Sequence, residues 1–244
     1  MGWQQRTALL LDDDQLQKLQ NAHVLIIGLG GVGGYAVEQV ARAGVGKITL
    51  VDGDVVEQSN RNRQLAALVS TDNQPKAQVL GNRVKDINPD VDLTIKEIFL
   101  DESNIDTLLD ESTYDFVIEC IDTLTPKVFV IKGCVDRKLK FVSAMGAGGR
   151  LDPSQAQMAD ISETYNCFFS RKVRKRLRQE FKINKGVRVV FSPEDIDKSK
   201  VHDTSKDAGG KFKRSVIGTI SFMPAVFGLY CGAEAVRGII GLKK

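Results

Sequence analysis

Apolar positions along this chain change period several times, and each change marks an element. His23-Val24-Leu25-Ile26-Ile27 is a nearly continuous apolar run, the pattern of a strand covered by helices on both faces. Glycines end it, and helical spacing takes over behind Gly33. Lys47-Ile48-Thr49-Leu50-Val51 predicts a second strand. Pro75 predicts a helix start, Leu80, Val84 and Ile87 give that helix an apolar stripe, and Asn88-Pro89 stops it. Val91 to Ile98 alternates like a strand, and Asp101-Glu102-Ser103-Asn104 opens a short helix. Tyr114 to Ile121 is again an apolar run of the buried parallel kind. Val128, Ile131 and Val135 line the next helix, and Phe141-Val142-Ser143-Ala144 predicts a strand before the turn Gly146-Ala147-Gly148-Gly149. This alternation predicts an α/β fold, a Rossmann-like, doubly wound and mostly parallel sheet that binds ligands at the C-terminal ends of its strands.

Beyond Asp152 the pattern changes. Tyr165 to Phe181 predicts a basic helix and Val187 to Phe191 a strand. Residues 194–214 are polar and rich in Lys and Asp, so a mobile loop is expected. Val216 to Leu242 is apolar and Gly-rich, but Pro224, Glu234 and Arg237 interrupt it as a membrane span. A strand and helix closing the sheet are expected instead. The chain therefore reads as one domain over 1–244. Residues 1–152 form its nucleotide-binding half, and residues 153–244 its substrate-binding and closing half.

Composition narrows the class only a little. With 42% hydrophobic and 27% charged residues in 244, the chain is an ordinary globular one. A net charge of +3 imposes no global field, so any nucleic-acid argument rests on local clusters. Cys120, Cys134, Cys167 and Cys231 are far apart and form no C-x-x-C pair, which argues against a structural zinc and a disulfide framework. Cys134 and Cys231 lie among apolar residues and read as core. Residues 1–20 are polar and acidic, unlike a signal peptide. A reducing, cytoplasmic setting is expected.

The chemistry concentrates between His23 and Gln64. Gly28-Leu29-Gly30-Gly31-Val32-Gly33 fits G-x-G-x-x-G between a strand and a helix, where a nucleotide phosphate sits on the helix N-terminus. The same glycines also serve plain strand–helix packing. Asp52 ends the second strand, where a carboxylate can hold ribose hydroxyls or act as a turn acid. Asn60 and Arg63 stand three apart, so one helical turn puts them on one face, either exposed or gripping phosphate. Lys76, at a helix start, is a solvated lysine or a point charge for phosphate. Asp122 ends the third buried run, where a carboxylate suits Mg²⁺ or caps the next helix. An Asn and an Arg that a redox fold does not need point to ATP and adenylyl transfer rather than hydride transfer.

In this order the elements resemble the ThiF/MoeB-type adenylating superfamily, related to ubiquitin-activating enzymes. The matching residues are Gly28, Gly30, Gly31 and Gly33, then Asp52 and Asp54, then Ser59, Asn60, Arg63 and Gln64, then Gln74-Pro75-Lys76, then Asp122. The resemblance implies ATP as cofactor, with Asp52 on the ribose and Asn60, Arg63 and Lys76 around the triphosphate. It places Mg²⁺ on Asp122. It also implies a homodimer in which Arg6 crosses to the partner's ATP. The chain resembles one branch more closely, the tRNA threonylcarbamoyladenosine dehydratases. Ile87-Asn88-Pro89, Ile121-Asp122-Thr123-x-x-Pro126-Lys127, Ala144-Met145-Gly146-Ala147-Gly148, Leu151-Asp152-Pro153 and Ala159-Asp160-Ile161 carry that likeness over nearly the whole chain. The activity implied is adenylation of the threonyl carboxylate of the modified adenosine, followed by cyclising dehydration. Arg61 stands where that family usually has an apolar residue and Asn73 where it usually has Gly; the 194–214 stretch lacks a cysteine that some relatives carry.

The basic helix suits a tRNA partner. Val173, Leu177 and Phe181 recur every four residues and predict its inward stripe. Arg171, Lys172, Arg174, Lys175 and Arg178 are left for tRNA phosphates, unless the run is only a solvated face. Two other readings compete: activation of a ubiquitin-like sulfur-carrier protein, against which the absence of paired cysteines weighs, and an NAD-binding oxidoreductase. A sulfur-transfer protein is a further partner that the resemblance admits.

Overall fold

The computed structural model describes residues 2–197, 199, 201–203 and 215–242. Helices α1 (Gln5–Ala8) and α2 (Asp13–Asn21) precede β1 (His23–Ile27), α3 (Gly33–Arg42), β2 (Lys47–Val51), α4 (Lys76–Ile87) and β3 (Asp92–Lys96). Then come α5 (Ile105–Asp110), β4 (Phe116–Glu119), α6 (Leu124–Asp136) and β5 (Phe141–Ala144). The order continues with β6 (Gln157–Asp160), α7 (Phe168–Phe181), β7 (Arg188–Phe191), β8 (Val201–Asp203), β9 (Ser215–Ile217) and α8 (Phe222–Ile240).

Among these residues seven strands form one sheet in the order β3-β2-β1-β4-β5-β7-β6. All neighbours run parallel except β6, which pairs antiparallel with β7 at the edge. All five residues of β1 are buried, as its unbroken apolar run requires of a strand with helices on both faces. Ile27 pairs with Val51 on one side and with Glu119 on the other. Strand order reverses between β1 and β4, and a reversal opens a crevice at the C-terminal strand edge.

The core has two parts, one on each side of the sheet. Val24 and Ile26 pack with α3, α4 and α8 through Val37, Leu80, Val84 and Phe227. Leu25 and Ile27 point the other way, to α5, α6 and α7 through Leu108, Val128, Ile131, Val173 and Leu177. Cys134 and Cys231 are fully buried, one in each part. By length and composition α8 could cross a membrane. Its apolar residues Met223, Phe227, Cys231 and Ala235 are instead fully buried in the core. A Cβ on Gly228 would stand 2.3 Å from the Val32 carbonyl oxygen, so α8 lies hard against the start of α3.

Several expectations need correction. The strand of the 216–242 stretch does not close the sheet: among the described residues β9 pairs with β8 in a separate two-stranded antiparallel sheet, while α8 covers a sheet face. The edge strand β6 has no apolar alternation and was not predicted. Pro75 is the N-cap of α4 rather than inside its first turn. The short fifth helix begins at Ile105, because Asp101 and Asn104 form a side-chain-bonded turn ahead of it. Of the 194–214 stretch, residues 198, 200 and 204–214 lie outside the described residues. Its start is anchored: Glu194 accepts the backbone N–H groups of Leu151 and Asp152 at 2.8 and 2.9 Å.

One buried charge pair organises the middle of the sheet. Glu119 and Lys127 are both fully buried and bonded to each other. Lys127 Nζ also donates to the Ala144 carbonyl at 2.8 Å and to Ser143 Oγ at 3.2 Å. Ser143 Oγ donates to Glu119 Oε2 at 2.5 Å, and Ile121 N to Glu119 Oε1 at 2.7 Å. All three ammonium protons therefore have acceptors. Burial holds the Glu119 carboxyl above the usual carboxylate range, against the opposing pull of Lys127. The pair ties β4, β5 and α6 together at the crevice. Lys127→Met leaves an uncompensated buried carboxylate and is expected to cost about 3–5 kcal/mol. Glu119→Gln combined with Lys127→Met should recover part of that loss. Urea midpoints followed by circular dichroism check both, and a single variant as stable as wild type would contradict the role given to the pair.

Candidate active site

The glycine loop leaves β1 at the crevice. Gly28 has φ +82°, a left-handed conformation, and a Cβ there would lie 2.9 Å from the backbone carbon of Cys120. A Cβ on Gly33 would stand 1.8 Å from the Gly28 carbonyl oxygen. The loop therefore closes on itself and on the chain leaving β4, with the start of α3 directed at the space above. Gly31 approaches Pro224 of α8 and the Arg63 carbonyl, and Gly30 approaches the Gln64 side chain.

Asp52 holds this loop from the β2 side. Its Oδ2 accepts Leu29 N at 2.6 Å and its Oδ1 accepts Asp54 N at 2.7 Å. Burial pushes the Asp52 carboxyl up, while Lys76 and the two backbone donors oppose that shift. Lys76 is only 5% exposed, which removes the solvated-lysine reading. Its Nζ lies 2.9 Å from Asp54 Oδ2 and its backbone N donates to the Asp54 carbonyl at 3.0 Å. Pro75 explains the burial: Val55 bridges to it, so the first turn of α4 is drawn under the loop after β2.

Arg63 N and Gln64 N both donate to the Asn60 carbonyl, closing the turn that the spacing suggested. Asn60 is buried, and its Oδ1 accepts Glu57 N at 3.1 Å, so it braces the turn. The Arg63 guanidinium rests on the Ser59 carbonyl and Asn62 Oδ1. Gln64 Oε1 is buried with no hydrogen-bond partner among the described residues. The two departures from the family pattern have structural answers. Arg61 pairs with Asp72, and Asn73 has φ +63°, a left-handed conformation that Gly and Asn both reach.

Asp122 is exposed two residues beyond Cys120, on the β4–α6 loop beside the glycine loop. Thr123 holds the N-cap position of α6, without a capping bond from its side chain, and Asp122 precedes it. The structure thus gathers Gly28, Gly30, Gly31, Gly33, Asp52, Asp54, Asn60, Arg63, Gln64, Lys76 and the Asp122 loop around one crevice. Arg6 is elsewhere. The neighbouring Gln4 side chain donates to the Ala43 carbonyl at the far end of α3, so Arg6 is exposed at the opposite edge of the sheet from its own glycine loop.

The basic helix α7 splits into two kinds of cation. Arg171, Lys172, Lys175 and Arg178 are exposed. Arg174 instead donates through Nη1 to the carbonyls of Ile161 and Thr164 at 3.1 and 2.8 Å, which corrects its placement on the open face. Arg176 grips Glu180 and Thr125. Three features went unread in the sequence: the Glu119–Lys127 pair, Phe168 at the head of α7, and the buried Arg150. Arg150 binds the carbonyls of Gly146, Gly148 and Ser192 and so sets the glycine-rich turn after β5. A signal existed for the first, since an acid inside an apolar strand run needs a buried partner.

A doubly wound sheet with this loop at its switch point defines a nucleotide-binding α/β protein of the adenylating class. The chain belongs to the ThiF family, whose model matches residues 4–244. It is 38% identical over 242 residues to the tRNA threonylcarbamoyladenosine dehydratase of Bacillus subtilis, covering 96% of this chain and 93% of that one. It is 38% identical over 204 residues to the Escherichia coli protein of that name, covering 80% and 76%. The crystal structure of the E. coli dehydratase TcdA in complex with ATP superposes with a TM-score of 0.87 at 33% identity, over 98% of this chain and 95% of that one.

Gly33→Ala must move the Gly28 carbonyl or fail to fold. A clear fall in melting temperature is expected, whereas Gly2→Ala, with nothing within 4 Å, should leave it unchanged. Equal melting of both variants and wild type would refute the close approach.

Proposed function

We propose that this protein uses ATP to adenylate the threonyl carboxylate of threonylcarbamoyladenosine in tRNA and then cyclises it with net loss of water. The observation that carries this is the convergence of the glycine loop, Asp52, Arg63 and the buried Lys76 beside Asp122, in a chain matching relatives of that name from end to end. Activation of a sulfur carrier would use the same crevice but leaves the open cationic face of α7 unexplained. Hydride transfer leaves Lys76 and Arg63 without a role.

A carboxylate is a poor electrophile. Its attack on the α-phosphorus of ATP breaks the bond to pyrophosphate and makes an acyl-adenylate. A carbamoyl group of the same nucleoside then attacks the acyl carbon, closes the ring and expels AMP, with one proton lost. The first step gathers anions, and this chain offsets them. The glycine loop presents N–H groups at the start of α3. Lys76, already desolvated, is a charge that needs no reorganisation. Arg63 reaches phosphate by leaving Ser59 and Asn62. Asp52 keeps lone pairs for ribose beyond the two it gives to Leu29 and Asp54. Mg²⁺ fits the donor set, since one carboxylate and the phosphates would satisfy it, and Asp122 is an exposed carboxylate at that edge, while Asp54 is paired with Lys76. When bound it neutralises charge developing on the phosphates.

Arg6, turned away from its own crevice, completes the site of a second copy in a homodimer. Asp122→Ala should abolish pyrophosphate release, at a cost of several kcal/mol of transition-state stabilisation, while the protein stays folded. Mixing it with inactive Arg6→Ala should restore part of the activity. Normal release by the first variant removes Asp122 from the chemistry; no recovery in verified mixed dimers removes the crossing arginine.

The tRNA backbone lies along α7. Reversing Lys175 and Arg178 to Glu should weaken tRNA binding and lower its salt slope by about one for each phosphate no longer neutralised, with ATP binding intact. Wild-type affinity and slope in the double variant would move the RNA surface elsewhere.

A further inference from the structure

The open face of α7 carries more than charge. Phe168, Arg171, Lys172, Lys175 and Arg178 follow at three- and four-residue steps, so they form one stripe opposite the buried Ser170, Val173 and Leu177. Phe168 heads the stripe and is 53% exposed, so burial does not explain an aromatic there. Two cations lie over its ring, Lys172 Nζ 4.4 Å from the centroid and Arg171 Cζ 5.0 Å. Tyr165, exposed on the preceding loop, differs, because the Phe191 ring braces it edge-on at 5.8 Å. The next residue, Phe169, packs against Gly146 in the turn after β5 and lies near Lys127. Phe168 therefore stands at the crevice edge of the sheet and not at the remote end of α7.

An exposed ring among cations suits single-stranded nucleic acid. A base stacks on the ring, and the cations take the phosphates. We propose that Phe168 is the stacking platform for one unpaired base of the tRNA, with Arg171 and Lys172 engaging the phosphates beside that base. This rests on the tRNA reading above and makes it more specific: Phe168 is a positioning residue that registers the loop so that the modified adenosine enters the crevice. Only an unpaired base offers its face in this way, so the platform selects a loop over a duplex.

The probe is tRNA bearing threonylcarbamoyladenosine, titrated at several salt concentrations. Phe168→Leu keeps an apolar side chain and both cations but removes the aromatic face. Its tRNA Kd should rise about 10-fold, within the range for one stacked base, with the salt slope unchanged. Phe168→Trp should bind as wild type does, and tRNA should quench its emission beyond that of Trp3 measured in wild type. Wild-type affinity in the Leu variant, or emission in the F168W variant that tRNA does not change, overturns the stacking role. If wild type binds tRNA with a steep salt slope while Phe168→Leu matches it, only the platform fails. If wild type itself does not bind tRNA, the proposed function fails and the platform with it.

Discussion

The crevice depends on a charge pair that no solvent reaches. Glu119 and Lys127 replace hydration with each other, with Ser143 and with the backbone of Ile121 and Ala144. Such a pair adds little net stability relative to well-packed apolar side chains, but breaking it is costly. Its value here is geometric. The partners come from β4, α6 and β5, so the loop between Glu119 and Lys127 can leave the sheet in only one direction. Cys120 is pressed under Gly28 and Gly33, and Asp122 follows on the rim.

A second arrangement answers from the other side. Asp52 draws two backbone N–H groups to itself, one from the glycine loop and one from Asp54, and Asp54 in turn holds Lys76. The loop, the acid and the lysine are thus one connected network. Preorganised charge of this kind stabilises developing negative charge without reorganisation. Arg63 is the contrasting member, since its guanidinium sits on groups of its own turn and not on this network.

The far side of β4 is held by contacts of its own. Arg150 sets the glycine-rich turn after β5, Phe169 packs on that turn, and α7 starts there. The start of the cationic stripe is thereby fixed beside the turn after β5 by packing and not by its own charges. Arg174 and Arg176 show the same logic, for both look like members of a basic run and both are spent on holding α7 in place.

Much of this was legible in the chain. Strand and helix periodicity located β1, β2 and β5 to the residue, because buried parallel strands need unbroken apolar runs and glycines must stand where a backbone turns tightly. The glycine loop and Asp52 could be singled out as chemistry of strand ends, and Lys76 as a charge at a helix start. Other features depend on contacts between residues far apart in sequence. Periodicity carries no information on β9 leaving the sheet, since a run of two apolar residues, Val216 and Ile217, fits a separate two-stranded sheet as well. Burial of Lys76 came from the Val55–Pro75 bridge, and the distance of Arg6 from its own loop came from Gln4 docking on the end of α3. Local sequence determined the elements and their turns, because those follow from backbone sterics and the period of burial. Only the tertiary structure decided which charges are paired, which are buried and which face the crevice, because those energies depend on neighbours that the chain brings together only by folding.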